Sequence, residues 1–180
     1  MNEHSYQHLS ILKFIVLSLA SLLTLVFGSA TVFAEAAKPI SGNYTGIYAM
    51  QKILVVPDAK GHVLMLVETH ATNKNTGPTE FMEGAKVVNR EIQDLIQGNG
   101  PHNGYITFTD HDGEITAKWD GTVETMLAKD GQPRTTFNGD WPWPKATGRY
   151  AKYTASGTYT GHVPSPDKVY IEWEGQMQPR

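Results

Sequence analysis

Apolar and polar residues alternate along most of the chain beyond residue 44, a period of two that belongs to half-buried β-strands. Ile106 and Phe108 face one way while Tyr105, Thr107 and Thr109 face the other, and Asp112-Gly113 supplies a turn. The return strand sets Ile115, Ala117, Trp119 and Val123 against Glu114, Thr116, Lys118, Asp120 and Glu124. Residues 168–177 repeat the pattern, with Val169, Ile171, Trp173 and Met177 on one face and Tyr170, Glu172 and Glu174 on the other. Between these, Asp130-Gly131 marks a turn, residues 135–141 form a strand stopped by Pro142 and Pro144, and residues 148–154 and 157–163 form a pair joined across Ala155-Ser156.

The first half follows the same grammar less cleanly. Residues 44–56 and 62–72 read as two strands around Pro57-Asp58 and Lys60-Gly61. The second is apolar on both faces, with Val63, Met65 and Val67 on one side and Leu64 and Leu66 on the other. Such a strand is either buried twice or lies at a protein interface, so the stretch from Val63 to Val67 is the expected homo-oligomer contact. Residues 80–97 carry two patterns. Phe81, Ala85, Val88, Ile92 and Leu95 recur at helical spacing, whereas Gly84, Val87 and Val88 favour a strand, toward which the balance tilts. The run from Gly98 to Gly104 reads as loop.

About eight or nine short strands separated by turn chemistry predict an all-β protein, an antiparallel eight- or nine-stranded β-barrel. The N-terminus reads as a cleaved signal peptide, residues 1–34, with an apolar run from Phe14 to Phe27 and Val32-Phe33-Ala34 before the cut. That apolar run is shorter than the roughly 20 residues a spanning helix needs, so no stable membrane insertion is expected after cleavage. Residues 35–43 are then a flexible leader, residues 44–180 the barrel domain, and the destination periplasmic or extracellular.

Three Gly-bearing steps, Thr147-Gly148, Ser156-Gly157 and Thr160-Gly161, lie between Tyr150, Tyr153 and Tyr159, as in strands that pass close to a neighbour's backbone. Together with Gly139-Asp140-Trp141, Thr147-Gly148-Arg149-Tyr150-Ala151, Ser156-Gly157-Thr158-Tyr159 and Trp173-Glu174-Gly175, this stretch resembles the closing half of the allene oxide cyclase and dirigent-like β-barrels, including their exported bacterial relatives. Lys145-Ala146-Thr147-Gly148 stands where that group usually has Gly-Gly-Thr-Gly. The resemblance covers roughly the last eighty residues. It implies a barrel that forms dimers or trimers, and in the plant members a cavity that steers an apolar intermediate through cyclisation or coupling. The matching residues are structural glycines and aromatics, so no cavity acid of that group is carried over.

Composition narrows the chemistry. Removing residues 1–34 takes one acid, Glu3, and one base, Lys13, from totals of 18 and 15, so the net charge stays at -3. With no basic run, no nucleic-acid partner is expected. The chain has no cysteine, which rules out thiolate nucleophiles and zinc-thiolate sites. His62, His70, His102, His111 and His162 are scattered over turns and strand ends, so no metal site is expected, and no cofactor motif or nucleophile elbow occurs.

Phe108, Trp119, Tyr159 and Trp173 converge on the interior of such a barrel. They either fill it or leave a slot for a small apolar ligand, and the second reading makes them the candidate ligand-binding residues. Glu68 and His70 continue the face of Leu64 and Leu66 and are the weak catalytic candidates, since a buried carboxylate can act as a general acid or base. The commoner fate of such residues is solvent. Trp141-Pro142-Trp143-Pro144 is either an exposed stacking platform or a cap over a loop. The expected function is carriage of a small hydrophobic or aromatic ligand, with a cyclase- or isomerase-type cavity enzyme and a ligand-free structural envelope oligomer as alternatives.

Overall fold

A computed structural model describes residues 36–142 and 145–180. The expected signal peptide, and Trp143 and Pro144, lie outside the described residues. Ten strands follow in order: β1 Lys38–Val55, β2 His62–Thr72, β3 Lys74–Asn75, β4 Lys86–Ile96, β5 Gly100–Asp110, β6 Gly113–Leu127, β7 Pro133–Pro142, β8 Lys145–Ala146, β9 Tyr153–Ser165 and β10 Lys168–Pro179. Eight of them, β1, β2, β4, β5, β6, β7, β9 and β10, pair antiparallel with their neighbours, and β10 returns to β1 to close the barrel. The two-residue strands sit outside this cycle, β3 on β1 and β8 on β6. Closure leaves no long sheet edge along most of the wall, which suits a chain with no disulfide to hold it.

The alternation read from the sequence sets which side chains enter. Ile115, Ala117, Trp119 and Val123 of β6 and Val169, Ile171, Trp173 and Met177 of β10 are buried inside. Residues 80–97 resolve into a loop followed by β4, with Gln97 and Gly98 both at positive φ in the turn that follows.

Four sequence expectations are corrected. Lys38 to Asn43 are not a leader but the first third of β1, in register with Met177 to Glu172, with Ile40 buried. Proline and small residues disguised a strand held by its partner rather than by its own propensity. Gly100 to Gly104 begin β5 instead of continuing a loop, and their alternate residues enter the barrel. Gly148–Lys152 is a 3₁₀ helix, begun at a positive φ that glycine accepts, so β9 runs unbroken through Ala155-Ser156 and has no hairpin there. Finally, β2 has only one buried face: Val63, Met65 and Val67 point inward, leaving Leu64 and Leu66 on the outer wall. Of the stretch Val63 to Val67, the expected oligomer contact, only Leu64 and Leu66 lie on the outer wall, with Leu54 and Ile92 beside them by register.

One end of the barrel is stoppered. Phe81 and Met82, on the loop between β3 and β4, are buried in the core, and Phe81 meets Tyr150 of the 3₁₀ helix edge to face at 5.7 Å. Asn73 ties the loop down, its Nδ2 donating to the Met82 carbonyl at 2.9 Å while its Oδ1 accepts from Trp173 Nε1 at 3.0 Å. The tight turns β1–β2, β4–β5, β6–β7 and β9–β10 all lie at the opposite end, as the alternating strand directions require.

Candidate functional site: the barrel interior

Glycine and aromatic residues share the wall in a repeated arrangement. The Tyr159 ring lies across Gly139 and Gly121, Trp119 across Gly104, Trp141 across Gly157 and Gly175, Phe137 across Gly161, and Trp173 across Gly42. In each case a Cβ on the glycine would collide with the aromatic side chain, at Gly121 and Gly139 with the Tyr159 hydroxyl. Aromatic side chains drawn against the wall in this way leave the middle unfilled. The result is a cavity of about 300 Å³, within the range of small-molecule pockets.

All four aromatics expected from the sequence line this cavity. They form two groups: Trp119 and Tyr159 pack edge to face at 5.5 Å, while Phe108 and Trp173 do so at 5.9 Å nearer the stoppered end. Trp141 is half-buried, its Nε1 donating to the Thr158 carbonyl at 3.1 Å, so it caps the wall rather than presenting a free platform.

Glu68 and His70 lie elsewhere. Both are on the outer wall, where Glu68 accepts from His70 Nε2 at 2.7 Å and from Arg90 Nε at 2.9 Å. The His70 hydrogen bond, with Arg90 and His70 charge behind it, holds the Glu68 carboxyl below the usual carboxylate range. They form a surface ion-pair cluster with no access to the interior.

The interior carries a different polar set. Register places His102 beside Gly121, Gly121 beside Gly139, and Gly139 beside Tyr159, so one transverse row of the barrel joins His102 to Tyr159 through two glycines. The Tyr159 hydroxyl crosses both glycines and lies 3.0 Å from His102 Nε2. On the other side His102 Nδ1 is 2.7 Å from Glu91 Oε1. A carboxylate only accepts, so Nδ1 carries the hydrogen and Nε2 accepts from the Tyr159 O–H. Gln93 Nε2 donates to the same Glu91 oxygen at 2.7 Å. The imidazole is buried, with Trp119 at 4.9 Å and Phe137 at 5.6 Å, while Trp119 Nε1 donates to Asn89 Oδ1 at 2.8 Å.

Tyr44 and Tyr48 of β1 complete the set. Both line the cavity, and among the described residues neither hydroxyl has a hydrogen-bond partner. Burial, reinforced by the Glu91 charge, pushes Tyr44 far above the ordinary phenol value and Tyr48 up to about 12. Tyr159 is raised by burial first and then by Glu91 and its neighbours. These phenols stay protonated at any ordinary pH and so remain donors.

Sequence reasoning passed over Glu91 and His102. His102 stands six and four residues before Phe108 and Ile106, on their face, and would have been found by extending the alternation back through Gly104. Glu91 was hidden because β4 reverses the usual code: Asn89 and Glu91 are buried while Ile92 is 55% exposed.

At the β5–β6 turn, Asp110, His111 and Asp112 bring their ligand atoms within 4.8 Å of one another. A cation already sits there, since Arg149 Nη1 lies 2.6 Å from Asp112 Oδ2, and Tyr150 O–H donates to Asp110. The group fastens the 3₁₀ helix to the turn, and none of its three acidic and histidine residues lines the cavity.

The class defined by these features is a closed antiparallel barrel with a mostly apolar internal cavity that carries a few polar groups. No protein-family model matches the chain, and no curated protein matches it. Among solved structures, a protein of unknown function from Clostridium acetobutylicum is similar, with TM-score 0.50 and 10% identity over 79% of this chain and 98% of that one. A conserved protein of unknown function from Rhodopseudomonas palustris aligns with TM-score 0.42 and 8% identity over 79% of this chain and 99% of that one. The first likeness concerns the fold alone.

Proposed function

We propose that this protein is an exported barrel that binds one small hydrophobic or aromatic molecule in its interior. The observation that carries the reading is the cavity of about 300 Å³ walled by Phe108, Trp119, Phe137, Tyr159 and Trp173. Aromatic side chains drawn against wall glycines keep this space open, whereas the same residues turned inward would fill it and bury more apolar surface. The closed antiparallel barrel is also the architecture that the resemblance to the allene oxide cyclase and dirigent-like group implies. Export follows from the N-terminal signal sequence, and the ligand is then an envelope or extracellular molecule.

Titration of the purified protein with N-phenyl-1-naphthylamine, an uncharged aromatic probe, tests the reading. Saturable binding of one probe per chain, with quenching of tryptophan emission from Trp119 and Trp173, is the expected result. Probe fluorescence that rises without saturation, as for weak adsorption to exposed apolar surface, would refute it.

A further inference from the structure

We propose that Glu91, Tyr44 and Tyr48 form a proton-transfer site that enolises an apolar ketone held in the barrel, with His102 and Tyr159 as positioning residues. This rests on the ligand-binding reading and adds to it a substrate class and a reaction.

Glu91 Oε1 is occupied twice, by His102 Nδ1 and by Gln93 Nε2, each at 2.7 Å. Oε2 has no hydrogen-bond partner among the described residues, and Glu91 lines the cavity. The carboxylate is thus clamped through one oxygen with the other free for chemistry. His102 is in turn fixed by the Tyr159 hydroxyl at 3.0 Å and by Trp119 and Phe137 against its ring. A carrier for a purely apolar molecule would leave this chain of buried polar groups without a purpose, since burying them is unfavourable unless each is matched.

The second half of the site is the pair of hydroxyls. Tyr44 is 3% exposed and lines the cavity, and among the described residues its hydroxyl has no acceptor. Tyr48 shares the cavity on the same strand, separated from Tyr44 by one full inward step at Gly46. Tyr48 stands beside Thr69 of β2, one inward step from Val67, which stands beside Glu91 of β4, and Tyr44, Tyr48 and Glu91 all line the same cavity. Two unmatched phenol donors near one free carboxylate oxygen are complementary to a carbonyl group with an acidic C–H beside it.

The step balances without a co-reactant. Glu91 Oε2 takes the proton from the carbon next to the carbonyl; the C–H electron pair becomes a C=C bond, and the C=O π pair moves to oxygen. Hydrogen bonds from Tyr44 and Tyr48 stabilise the enolate oxygen, as preorganised donors do in a water-poor site. Return of the proton from Glu91 to the same carbon regenerates the ketone, and return to a conjugated carbon gives the isomer.

The probe is 2-tetralone, an aromatic ketone with exchangeable hydrogens beside its carbonyl. Binding is followed by tryptophan quenching, and deuterium uptake from D₂O by mass spectrometry. Binding together with exchange above the buffer rate is expected, with Glu91→Gln exchanging about 100-fold more slowly at saturating ketone. Tyr159→Phe, which keeps the ring and removes only the hydroxyl that meets His102, is expected to slow exchange at saturating ketone and to shift its pH profile, the signature of a positioning role. Binding with no exchange above buffer overturns the proton-transfer proposal and leaves carriage standing. Exchange that Glu91→Gln leaves intact also overturns it. Absence of both tetralone and naphthylamine binding overturns the ligand reading itself.

Discussion

The hydroxyl of Tyr159 meets Nε2 of His102 at 3.0 Å, although the two residues are 57 apart in sequence and stand on strands separated by two others. The contact exists because Gly139 and Gly121 lie in register between them and present no side chain for the ring to climb over. A Cβ at Gly121 would strike the Asn138 carbonyl and the Tyr159 hydroxyl, and one at Gly139 the Asp120 carbonyl and the same hydroxyl. Gly121→Ala and Gly139→Ala are each expected to destabilise the barrel, at or above the upper end of the roughly 1–3 kcal/mol that overpacking costs. Urea unfolding monitored by circular dichroism measures this; midpoints within error of the parent would contradict the arrangement.

Ile106 lines the cavity and is only half-buried, so its side chain borders open space rather than packed core. Replacing it with tryptophan places a ring into the cavity. Ile106→Trp is expected to weaken naphthylamine binding at least about tenfold, or about 1.4 kcal/mol, with little change in Tm. Undiminished binding would show that the probe sits elsewhere.

Acid sensitivity should arise at the stoppered end. Burial alone would raise the Asp110 carboxyl, but hydrogen bonds from Tyr150 and from the Asp112 and Gly113 amides, with Arg149 nearby, outweigh it and hold it below the usual carboxylate range. A carboxyl depressed on folding contributes stability above its unfolded value, near 3.9, and loses it as pH falls through the lower folded value. Stability should therefore fall below about pH 4. Tyr150→Phe should remove part of that acid limb and lower stability at pH 7 by about 1.5–3 kcal/mol, the worth of a hydrogen bond to a charged group. Melting curves between pH 2 and 7 for both proteins check the sign.

The outer-wall residues should behave oppositely to the interior ones. Glu68→Gln and His70→Gln leave the cavity untouched, so probe affinity should not change. Self-association, if it uses the exposed side chains Leu54, Leu64, Leu66 and Ile92, should weaken in Leu66→Lys. Light scattering coupled to size exclusion reads the mass directly.

Much of the architecture was legible because half-buried strands write their geometry into the sequence at a period of two. β6 and β10 could be assigned face by face, and Phe108, Trp119, Tyr159 and Trp173 were placed inside from alternation alone. The polar site was not, for a physical reason. A cavity that binds something needs polar groups on its buried face, and β4 with Asn89 and Glu91 inside and Ile92 outside inverts the code that marks the core. Glu68 and His70 drew notice because they followed Leu64 and Leu66, whose face is the outer one. The 3₁₀ helix at Gly148–Lys152 escaped because Arg149 and Tyr150 are held by Asp112 and Asp110, contacts with no local signature.

The most direct measurement is native mass spectrometry of the protein purified gently from its own compartment. An interior binding site predicts a reproducible extra mass of one small apolar molecule per chain, lost on denaturation and absent from Ile106→Trp. A bare chain that also fails to take up naphthylamine or tetralone would contradict the account and leave a structural barrel whose partners are other proteins.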